Sequence, residues 1–498
     1  MPHGPRPLVV CALWLVAACA APGCTGVRDY FQKGMRVGPD YGRPSAPVAD
    51  EWIDSTNDRV TTEPAQNRDW WSVFNDPVLD RLITTAYAQN ISLREAGFRV
   101  VEARELRAVI TGNFFPQTQD VFGDYAKSQR SAQTATFRRS SGQVDSGNIG
   151  LRSLANWRFG ATMAWELDFW GRFRRAIEAA DARLDSSIEN YDDVLVLLIA
   201  EVATTYVDIR TVDQRLAYAR GNAEMQAESA RIAEARLRVV AIDSELDAPQ
   251  AKSNLARTLA AIEALEIVRR QNANRLCVLL GMPPQDVEQL LEGSKPVPAA
   301  PEQVAVGVPA ELLRRRPDVR RAERLAAAMC AEIGVAQANL FPHISINGTM
   351  SLEAAQFENI FRGNAFSGTI GPGFRWNVLN YGRLLHTVRA QDARFQQQVA
   401  AYQQTVLRAH EEAENAIISF ITYHEQLKLL EQSVADAEEA VRVAQAKYRA
   451  GRIDFNRVFT VEQLLVTQQD QLATAQGNLA NSLIEMYRAL GGGWQVRL

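Results

Sequence analysis

The chain has 498 residues, a formal net charge of −4, 47% hydrophobic residues and 22% charged residues. This length suffices for two to four domains with sizeable cores, and the nearly balanced charge excludes the basic surface that nucleic-acid binding requires. Only Cys277 and Cys330 of the five cysteines lie beyond the first 24 residues, without metal-site or redox spacing, so no cofactor is expected.

The chain begins with a predicted export signal. Residues 1–18 carry one arginine and an apolar run that is too short to cross a bilayer, which is typical of a secretory signal peptide. The stretch "VAAC" resembles a bacterial lipobox, so Cys19 is expected to be the lipid anchor. Cys24 at the end of "APGC" is the alternative, and an ordinary signal peptide with incidental cysteines stays open. Residues 19–67 are predicted to form an extended N-terminal segment.

The rest of the chain holds two copies of one unit. The stretch "WELDFWGR" begins at Trp165 and "WNVLNYGR" at Trp376, a spacing of 211 residues, while "NFFP" at Asn113 matches "NLFP" at Asn339. Two long copies indicate an internal duplication. The predicted parts are repeat 1 over residues 68–284, a proline-rich linker over 285–308, repeat 2 over 309–494 and a tail over 495–498.

Each copy contains two predicted strands. The hydrophobic period is two in "WRFGATMAWEL" from Trp157, in "HISINGTMSL" from His343 and in "FSGTIGPGFRWNVL" from Phe366. In the last stretch the alternation places Trp376 and Val378 on the apolar face. The stretch "QTQDVFGDYA" alternates poorly and is a weaker candidate. Strands of about ten residues with aromatic ends are typical of membrane strands.

Four strands cannot close a barrel, and lipid does not tolerate open sheet edges. The chain must therefore oligomerise, or else it does not enter the membrane. A trimer would supply twelve strands. Gly171 and Gly382 are expected to permit the turn from strand to helix, with the following Arg opening the helix. The residues predicted at the membrane interface are Trp157, Trp165, Trp170, Trp376 and Tyr381.

Long helices follow the strands in both copies. Residues 383–450 contain no Gly or Pro, and a helix of this length would extend roughly 100 Å. Its apolar residues recur at spacings of three and four between positions 420 and 448, which predicts coiled-coil packing. Each copy therefore forms a predicted helical hairpin. We define the hairpin tip as residues 239–249 and 449–458, where the two helical patterns break.

Besides the lipobox, five motifs occur in order along the chain: "VGPDY" at 37–41, "WWSVFNDPVLDRLI" at 70–83, "LLRRRPDVRRAE" at 312–323, "IGVAQANLFP" at 333–342 and "RALGGGW" at 488–494. In these motifs the chain resembles the outer-membrane efflux protein family, in its TolC-type, NodT-like lipoprotein branch. The resemblance implies a mainly α fold with a β-barrel part, made from a duplicated unit of a long coiled-coil hairpin and two membrane strands. A homotrimeric 12-strand β-barrel would join a periplasmic α-barrel.

The resemblance implies a passive outer-membrane exit duct of a tripartite efflux system, carrying small molecules or drugs from the periplasm or the pump to the exterior. The implied partners are outer-membrane lipid, a periplasmic adaptor and an inner-membrane transporter of the RND type. The implied location is the cell outer membrane, with a lipid anchor and a large periplasmic part. A duct for type I secretion is the alternative within the same family.

The resemblance also directs attention to the hairpin tip as a gate. At the positions where several relatives have gating aspartates, this chain has Arg457 and Thr460. The resemblance therefore does not imply a ring of gating aspartates in this chain. A mixed network of charges is the alternative prediction, and solvated turn charges without a gating role stay equally open. The predicted tip residues are Asp243, Glu245, Asp247, Arg452, Asp454 and Arg457.

An enzyme is not expected. The histidines show no metal spacing, and the sequence has no phosphate-binding loop and no nucleophile motif, so catalytic residues are not predicted. Energy for transport must then come from a partner. The alternatives from other classes are a periplasmic adaptor and a structural coiled-coil lipoprotein. The first would show one hairpin with compact β domains, and the second does not explain the alternating strands.

Overall fold

The computed structural model describes residues 27–63, 68–129, 153–239, 245–293 and 295–497. Two compact units are present, and both repeats contribute residues to each unit. The first unit comprises the described residues of Met1–Arg43, Glu102–Leu184 and Leu325–Gln398. The second comprises the described residues of Pro44–Val101, Asp185–Arg324 and Val399–Leu498.

Helices dominate the described chain, as the sequence predicts. The helices are α1 (Val27–Gln32), α2 (Pro77–Gln89), α3 (Ile91–Gly112), α4 (Arg172–Val239), α5 (Asp247–Leu279), α6 (Glu288–Leu291), α7 (Leu312–Arg315), α8 (Pro317–Ala338), α9 (Arg383–Arg449) and α10 (Phe455–Ala489). The strands are β1 (Val60–Thr61), β2 (Thr118–Gln129), β3 (Ser153–Leu167), β4 (Val304–Ala305), β5 (His343–Ala354) and β6 (Phe366–Arg375). None of the helices in the described chain has both the length and the apolar character needed to cross a membrane.

The first unit contains a four-stranded antiparallel sheet with the order β2–β3–β5–β6. Trp165 pairs with Ile346, and Ile346 pairs with Pro372, so the three strands share one register. All four predicted strands are confirmed, including β2, whose alternation is weak. Its pairing with β3 extends over all 12 of its residues, so the neighbouring strand compensates for the weaker pattern of β2.

The last strand is shorter than the sequence predicts. Strand β6 ends at Arg375, so the expectation that the alternation continues through Trp376 and Val378 is wrong. The indole N–H of Trp376 donates to the carbonyl oxygen of Leu340 at 3.0 Å, and the chain then turns at Tyr381, where φ is +51°. The backbone leaves the sheet ladder because it must enter this turn.

The two strand-to-helix turns confirm the roles expected for the repeated glycines. Gly171 and Gly382 have φ values of +77° and +81°, a left-handed conformation that glycine adopts without steric cost. Helices α4 and α9 begin at the next residues. Only α4 has a carboxylate at its start, because Asp168 accepts from the backbone N–H groups of Phe173 and Arg174 at 2.9 and 3.0 Å. Leu379 stands at the matching position before α9.

The second unit confirms the coiled-coil seam. Burial recurs every three or four residues along α9, through Val434, Ala437, Val441, Ala444 and Tyr448. Many seam residues are alanines, which allow helices to approach closely. Helix α9 ends near Gly451, where φ is +73°. Helix α10 begins after Asp454, whose carboxylate accepts from the backbone N–H of Arg457 at 3.1 Å and so caps the helix.

Candidate functional site

The sheet has one predominantly apolar face. Directly paired residues of antiparallel strands point to the same side, so the register assigns each side chain to a face. Strand β2 fits less well, because it also places Gln119 and Lys127 on this face. The apolar face consists of Val121, Tyr125, Trp157, Phe159, Ala161, Met163, Trp165, Leu167, Ile344, Ile346, Met350, Leu352, Phe366, Ile370, Pro372 and Phe374.

The opposite face is polar and charged. The guanidinium of Arg158 lies 3.0 Å from the carboxylate of Asp124, and the carboxylate of Glu166 lies 2.8 Å from the imidazole of His343 and 2.7 Å from Arg172. Strand β2 again contributes an exception, Phe122, which packs under Arg158. The polar face consists of Asp120, Asp124, Arg158, Thr162, Glu166, His343, Ser345, Asn347, Thr349, Ser351, Glu353, Ser367, Thr369 and Arg375.

The apolar face is exposed in the single chain. Ile370 and Phe374 of β6 have 74% and 76% of their surface accessible, and Val121 of β2 has 74%. Contiguous exposed apolar surface marks an interaction with a partner or with lipid. The two outer strands of the sheet, β2 and β6, pair on one side only within the described chain. The sheet therefore has both the lipid-compatible face and the free edges that a membrane barrel segment requires.

Two of the predicted interface aromatics lie on the apolar face of β3. Trp157 and Trp165 are eight residues apart, which corresponds to about 26 Å along a strand. This separation matches the roughly 25 Å height of the apolar band in membrane barrels. Trp157 also packs against the rings of Tyr125 and Phe357, with centroids 4.6 and 5.1 Å apart. These contacts form an aromatic group at one end of the sheet.

The other three predicted aromatics lie beyond the strands. The indole N–H of Trp170 donates to the carbonyl oxygen of Pro342 at 2.8 Å, and its ring stacks on Phe341 at 4.5 Å. Trp376 lies just after β6, and Tyr381 is 98% exposed in the turn before α9. Their assignment to the membrane interface stays a prediction.

Sequence reasoning missed the residues that fasten the N-terminal segment within the first unit. Arg175 is fully buried and donates to the carbonyl oxygens of Val37 and Gly38 at 3.0 and 3.2 Å. It also pairs with Asp40 at 2.7 Å, and this ion pair lowers the pKa of Asp40 even though burial acts in the opposite direction. The "VGPDY" motif supplied a signal, but its buried partner lies 135 residues away. The proposed anchors Cys19 and Cys24 lie outside the described residues.

Four of the predicted tip charges are solvent-exposed, namely Glu245, Arg452, Asp454 and Arg457. Within the described chain they form no ion pair with one another or with other residues. Arg457 contributes its backbone N–H to the cap of α10. Asp243 lies outside the described residues. Among the described residues of the predicted set, Asp454 and Arg457 contact each other through this cap, and the gating role of the set stays a prediction.

Asp247 has a specific partner that the sequence did not indicate. The hydroxyl of Tyr448 donates to its carboxylate at 3.0 Å, which links α9 to the start of α5 across 201 residues. Tyr448 is buried, and burial together with the neighbouring carboxylate raises its pKa to about 12. The hydroxyl therefore remains a donor at any physiological pH. Arg236 lies over the Tyr448 ring at 4.5 Å, and Phe455 packs against its edge.

No His, Cys, Asp or Glu residues in the described chain assemble into a group of three or more that could hold a metal ion.

The model of the family described as "Outer membrane efflux protein" matches residues 82–282 and 308–492. The chain belongs to the outer membrane efflux protein family.

Curated relatives of this efflux channel match over almost its whole length. Nodulation protein T from Rhizobium leguminosarum bv. trifolii is 28% identical over 470 residues, covering 93% of this chain and 95% of the relative. The pyoverdine export outer membrane protein OpmQ of Pseudomonas putida is 30% identical over 449 residues, covering 89% and 92%. A solved structure of the outer-membrane channel OprN superposes with a TM-score of 0.84 at 32% identity, covering 92% of this chain and 99% of OprN.

The family assignment explains why the chain has both an apolar sheet face and long helical hairpins. The protein is an outer-membrane efflux channel with the TolC-type fold, and its relatives are channel proteins rather than enzymes. The expectations of an outer-membrane location, of a channel function and of a mainly helical fold with a β-sheet part are confirmed.

Proposed function

We propose that this channel is a homotrimer that serves as the exit duct of a tripartite efflux system. The observation that carries the proposal is the four-stranded sheet, with its apolar face and its two free edges. Edge strands within a bilayer must be paired. Pairing β6 of one chain with β2 of the next closes a ring, and three chains then supply twelve strands, above the minimum of about eight for membrane barrels.

A row of exposed apolar side chains on α3 supports contact between chains. Ile91, Phe98 and Val101 are separated by seven and three residues, so they share one helix face. Their exposed fractions are 63%, 66% and 48%. A neighbouring copy of the chain would cover this face in the periplasmic part of the trimer, where no lipid is available.

The partners follow from the absence of an energy source in this sequence and from the relatives. The sequence has no nucleotide-binding motif, so transport through the duct must be driven by another protein. Relatives include an efflux pump outer membrane protein, TtgC, and OpmQ, which is named for pyoverdine export. We therefore assign an inner-membrane transporter of the RND type and a periplasmic adaptor as partners. These relatives favour efflux over type I secretion.

The hairpin tip is the proposed gate of this duct. Asp247 holds the two hairpins of one chain together through Tyr448. The exposed Arg452 and Arg457 are then available for acidic tip residues of a neighbouring chain, where threefold symmetry concentrates the charges. A partner would open the gate by offering competing contacts at the tip.

Stoichiometry and conductance test the duct directly. Native mass spectrometry of the purified full chain in detergent should give the mass of three copies, and the same preparation should form conducting pores in planar bilayers. Paired cysteines, one in β2 and one in β6, should cross-link between chains. The matched control is Met163→Cys with Gly348→Cys, which are directly paired within one chain and should cross-link there. A monomeric mass without conductance would contradict the proposal.

A further inference from the structure

A polar layer interrupts the apolar core of the second unit close to the hairpin tip. We define the polar layer as Ser229 of α4, Asn254 of α5, Gln445 of α9 and Glu462 of α10. The Glu462 side chain has no accessible surface, and Ser229 and Asn254 are each 2% exposed. A fully buried carboxylate is rare unless it is paired with a cation.

Glu462 receives hydrogen bonds from all three other helices. The Ser229 hydroxyl donates to one carboxylate oxygen at 2.6 Å, and the Gln445 amide donates to the same oxygen at 3.2 Å. The Asn254 amide donates to the other oxygen at 3.3 Å. The layer therefore exists only while the four helices are packed together, since each helix contributes one member.

No cation faces this carboxylate within the described chain. From α5, Arg257 approaches the layer but donates to the Asn254 side-chain oxygen at 3.2 Å. From α9, Glu438 accepts from Gln469 at 3.0 Å in the next layer. Helix α4 presents Ser229, and on the tip side of the layer Arg236 and Asp247 both contact Tyr448. Glu462 is thus held by neutral donors alone.

A second buried group close by is unsatisfied. Gln226 lies one helical turn from Ser229 and is 1% exposed, and neither its amide nitrogen nor its amide oxygen has a hydrogen-bond partner among the described residues. On its other side, Asn222 donates to Gln469 at 2.8 Å. An incompletely satisfied polar network is less stable than an apolar core of the same volume. Entry of water would satisfy Gln226 and would hydrate an ionised Glu462.

Apolar clusters enclose the polar layer on both sides along the helices. The cluster on the tip side includes Ala233, Ala251, Tyr448, Phe455 and Val458. The cluster on the other side consists of Val434, Ala437, Val441, Leu465 and Leu472, with partly buried neighbours. The polar contacts in this stretch thus lie at the level of Glu462 and at the neighbouring level of Asn222 and Gln469. Movement of the hairpin tip relative to the rest of the hairpins would be easiest at the level of Glu462, where one carboxylate joins all four helices.

We propose that the polar layer is a proton-sensitive hinge for the hairpin tip, in which Glu462 holds the four helices packed when it is protonated and releases them when it is ionised. The inference deepens the proposed gate and rests on it, because it assigns the point at which the tip separates. Protons, rather than a bound solute, are the regulating ligand.

The direction of the pH effect follows from the environment of Glu462. Burial raises the pKa of its carboxyl, while the hydrogen bonds from Ser229, Gln445 and Asn254 act in the opposite direction and are the smaller effect. The packed state therefore binds the proton more tightly than the hydrated state. Its stabilisation is complete below the ordinary carboxyl pKa of about 4.3 and is lost as pH rises through the raised value.

Hydrogen exchange of the full chain in detergent tests the hinge without requiring conduction. Protection factors of the amides in 226–233 and 458–466, corrected for intrinsic exchange, should fall as pH rises from about 4 to about 8. One coupled proton per chain limits the change to about tenfold per pH unit. Glu462→Gln should abolish this dependence. The matched control is Glu431→Gln, an exposed acid of α9 without an ion pair in the described chain, which should follow the wild type.

A second variant keeps the test decisive if Glu462→Gln does not fold. Ser229→Ala removes the shortest hydrogen bond to the ionised carboxylate, so the midpoint of the transition should move to higher pH. A Glu462→Gln profile that keeps the wild-type pH dependence, or an unchanged midpoint in Ser229→Ala, would overturn the proposal. Conductance of the same preparations distinguishes a failure of the hinge proposal from a failure of the duct proposal. If the protein forms no pores but its hydrogen exchange keeps the pH dependence, only the proposed duct is contradicted.

Discussion

The four-stranded sheet and the hairpin region around the tip distribute polar side chains in opposite ways. The sheet exposes its apolar residues, with Ile370 and Phe374 about three-quarters accessible, and keeps its charges on the other face. The hairpins bury Glu462 and Gln226 between helices and expose Arg452 and Arg457. Each arrangement is unfavourable for an isolated soluble chain, but for a different physical reason.

The difference separates two requirements of a channel. The sheet becomes stable when lipid covers its apolar face and neighbouring chains pair its edges, so its pattern specifies a fixed location. The hairpin core leaves the amide of Gln226 without a partner in the described chain, so it gains less from its own packing than a fully satisfied core would. In the proposed duct, the sheet would form the permanent pore wall and the hairpin region would form the movable part.

The largest effect is expected from placing a charge on the apolar face. Ile370→Arg should prevent assembly in the membrane, because an arginine at the bilayer midplane of a barrel costs about 2–4 kcal/mol in each chain. The matched control is Thr369→Arg, one residue away on the polar face, which should assemble. Both variants are compared by the amount of heat-labile, high-mass oligomer in outer-membrane fractions. Equal assembly of the two would refute the assignment of faces.

A smaller effect is expected from the contact between Tyr448 and Asp247. Tyr448→Phe removes one partly buried hydrogen bond, and such a bond typically contributes about 0.5–1.5 kcal/mol. The open-to-closed ratio in planar bilayers should rise about 2- to 10-fold. Tyr423→Phe is the control, because Tyr423 of the same helix has no hydrogen-bonded hydroxyl in the described chain. Wild-type currents from Tyr448→Phe would show that this contact does not hold the gate.

The exposed tip arginines should contribute less. Arg457→Glu, alone or with Arg452→Glu, should leave the trimer intact and raise single-channel conductance, because exposed pairs contribute only about 0.2–1 kcal/mol each. The control is Arg270→Glu, an exposed arginine of α5 without an ion pair in the described chain. Unchanged conductance would identify the tip charges as solvated turn residues.

The smallest effect on conduction is expected at the lipid anchor. Cys19→Ser should remove the N-terminal lipid and alter sorting while leaving conductance unchanged, since the assembled sheet itself holds the protein in the membrane. Cys24→Ser should change neither property. Mass spectrometry of the mature N-terminus decides between the two cysteines. An unmodified N-terminus beyond residue 24 would refute the anchor.

Most of the sheet could be predicted from the sequence, because a half-exposed strand records its two faces in a period of two. The prediction failed where the periodicity continued beyond the ladder. Trp376 keeps the alternation in sequence, but its backbone already belongs to the turn that ends at Gly382. The weak alternation of β2 had the opposite effect, because it made a complete strand look like a poor candidate. In the structure β2 pairs over its full length with β3.

The hairpin core could not be predicted to the same depth. Heptad spacing correctly indicated the seam of α9, but it does not identify the residues that face one another across four helices. Tyr448 and Asp247 are 201 residues apart, and Glu462 and Ser229 are 233 residues apart. In sequence, Glu462 resembles an ordinary solvated helix charge. Only the packing of the four helices shows that it is buried.

Accessibility along β6 tests the central claim most directly. The trimer is reconstituted in lipid vesicles with single nitroxide labels at positions 369, 370, 374 and 375, and collisions with oxygen and with a water-soluble nickel complex are compared. Labels at Ile370 and Phe374 should report lipid, and labels at Thr369 and Arg375 should report water. The same environment at all four positions would contradict the membrane-spanning sheet and, with it, the proposed duct.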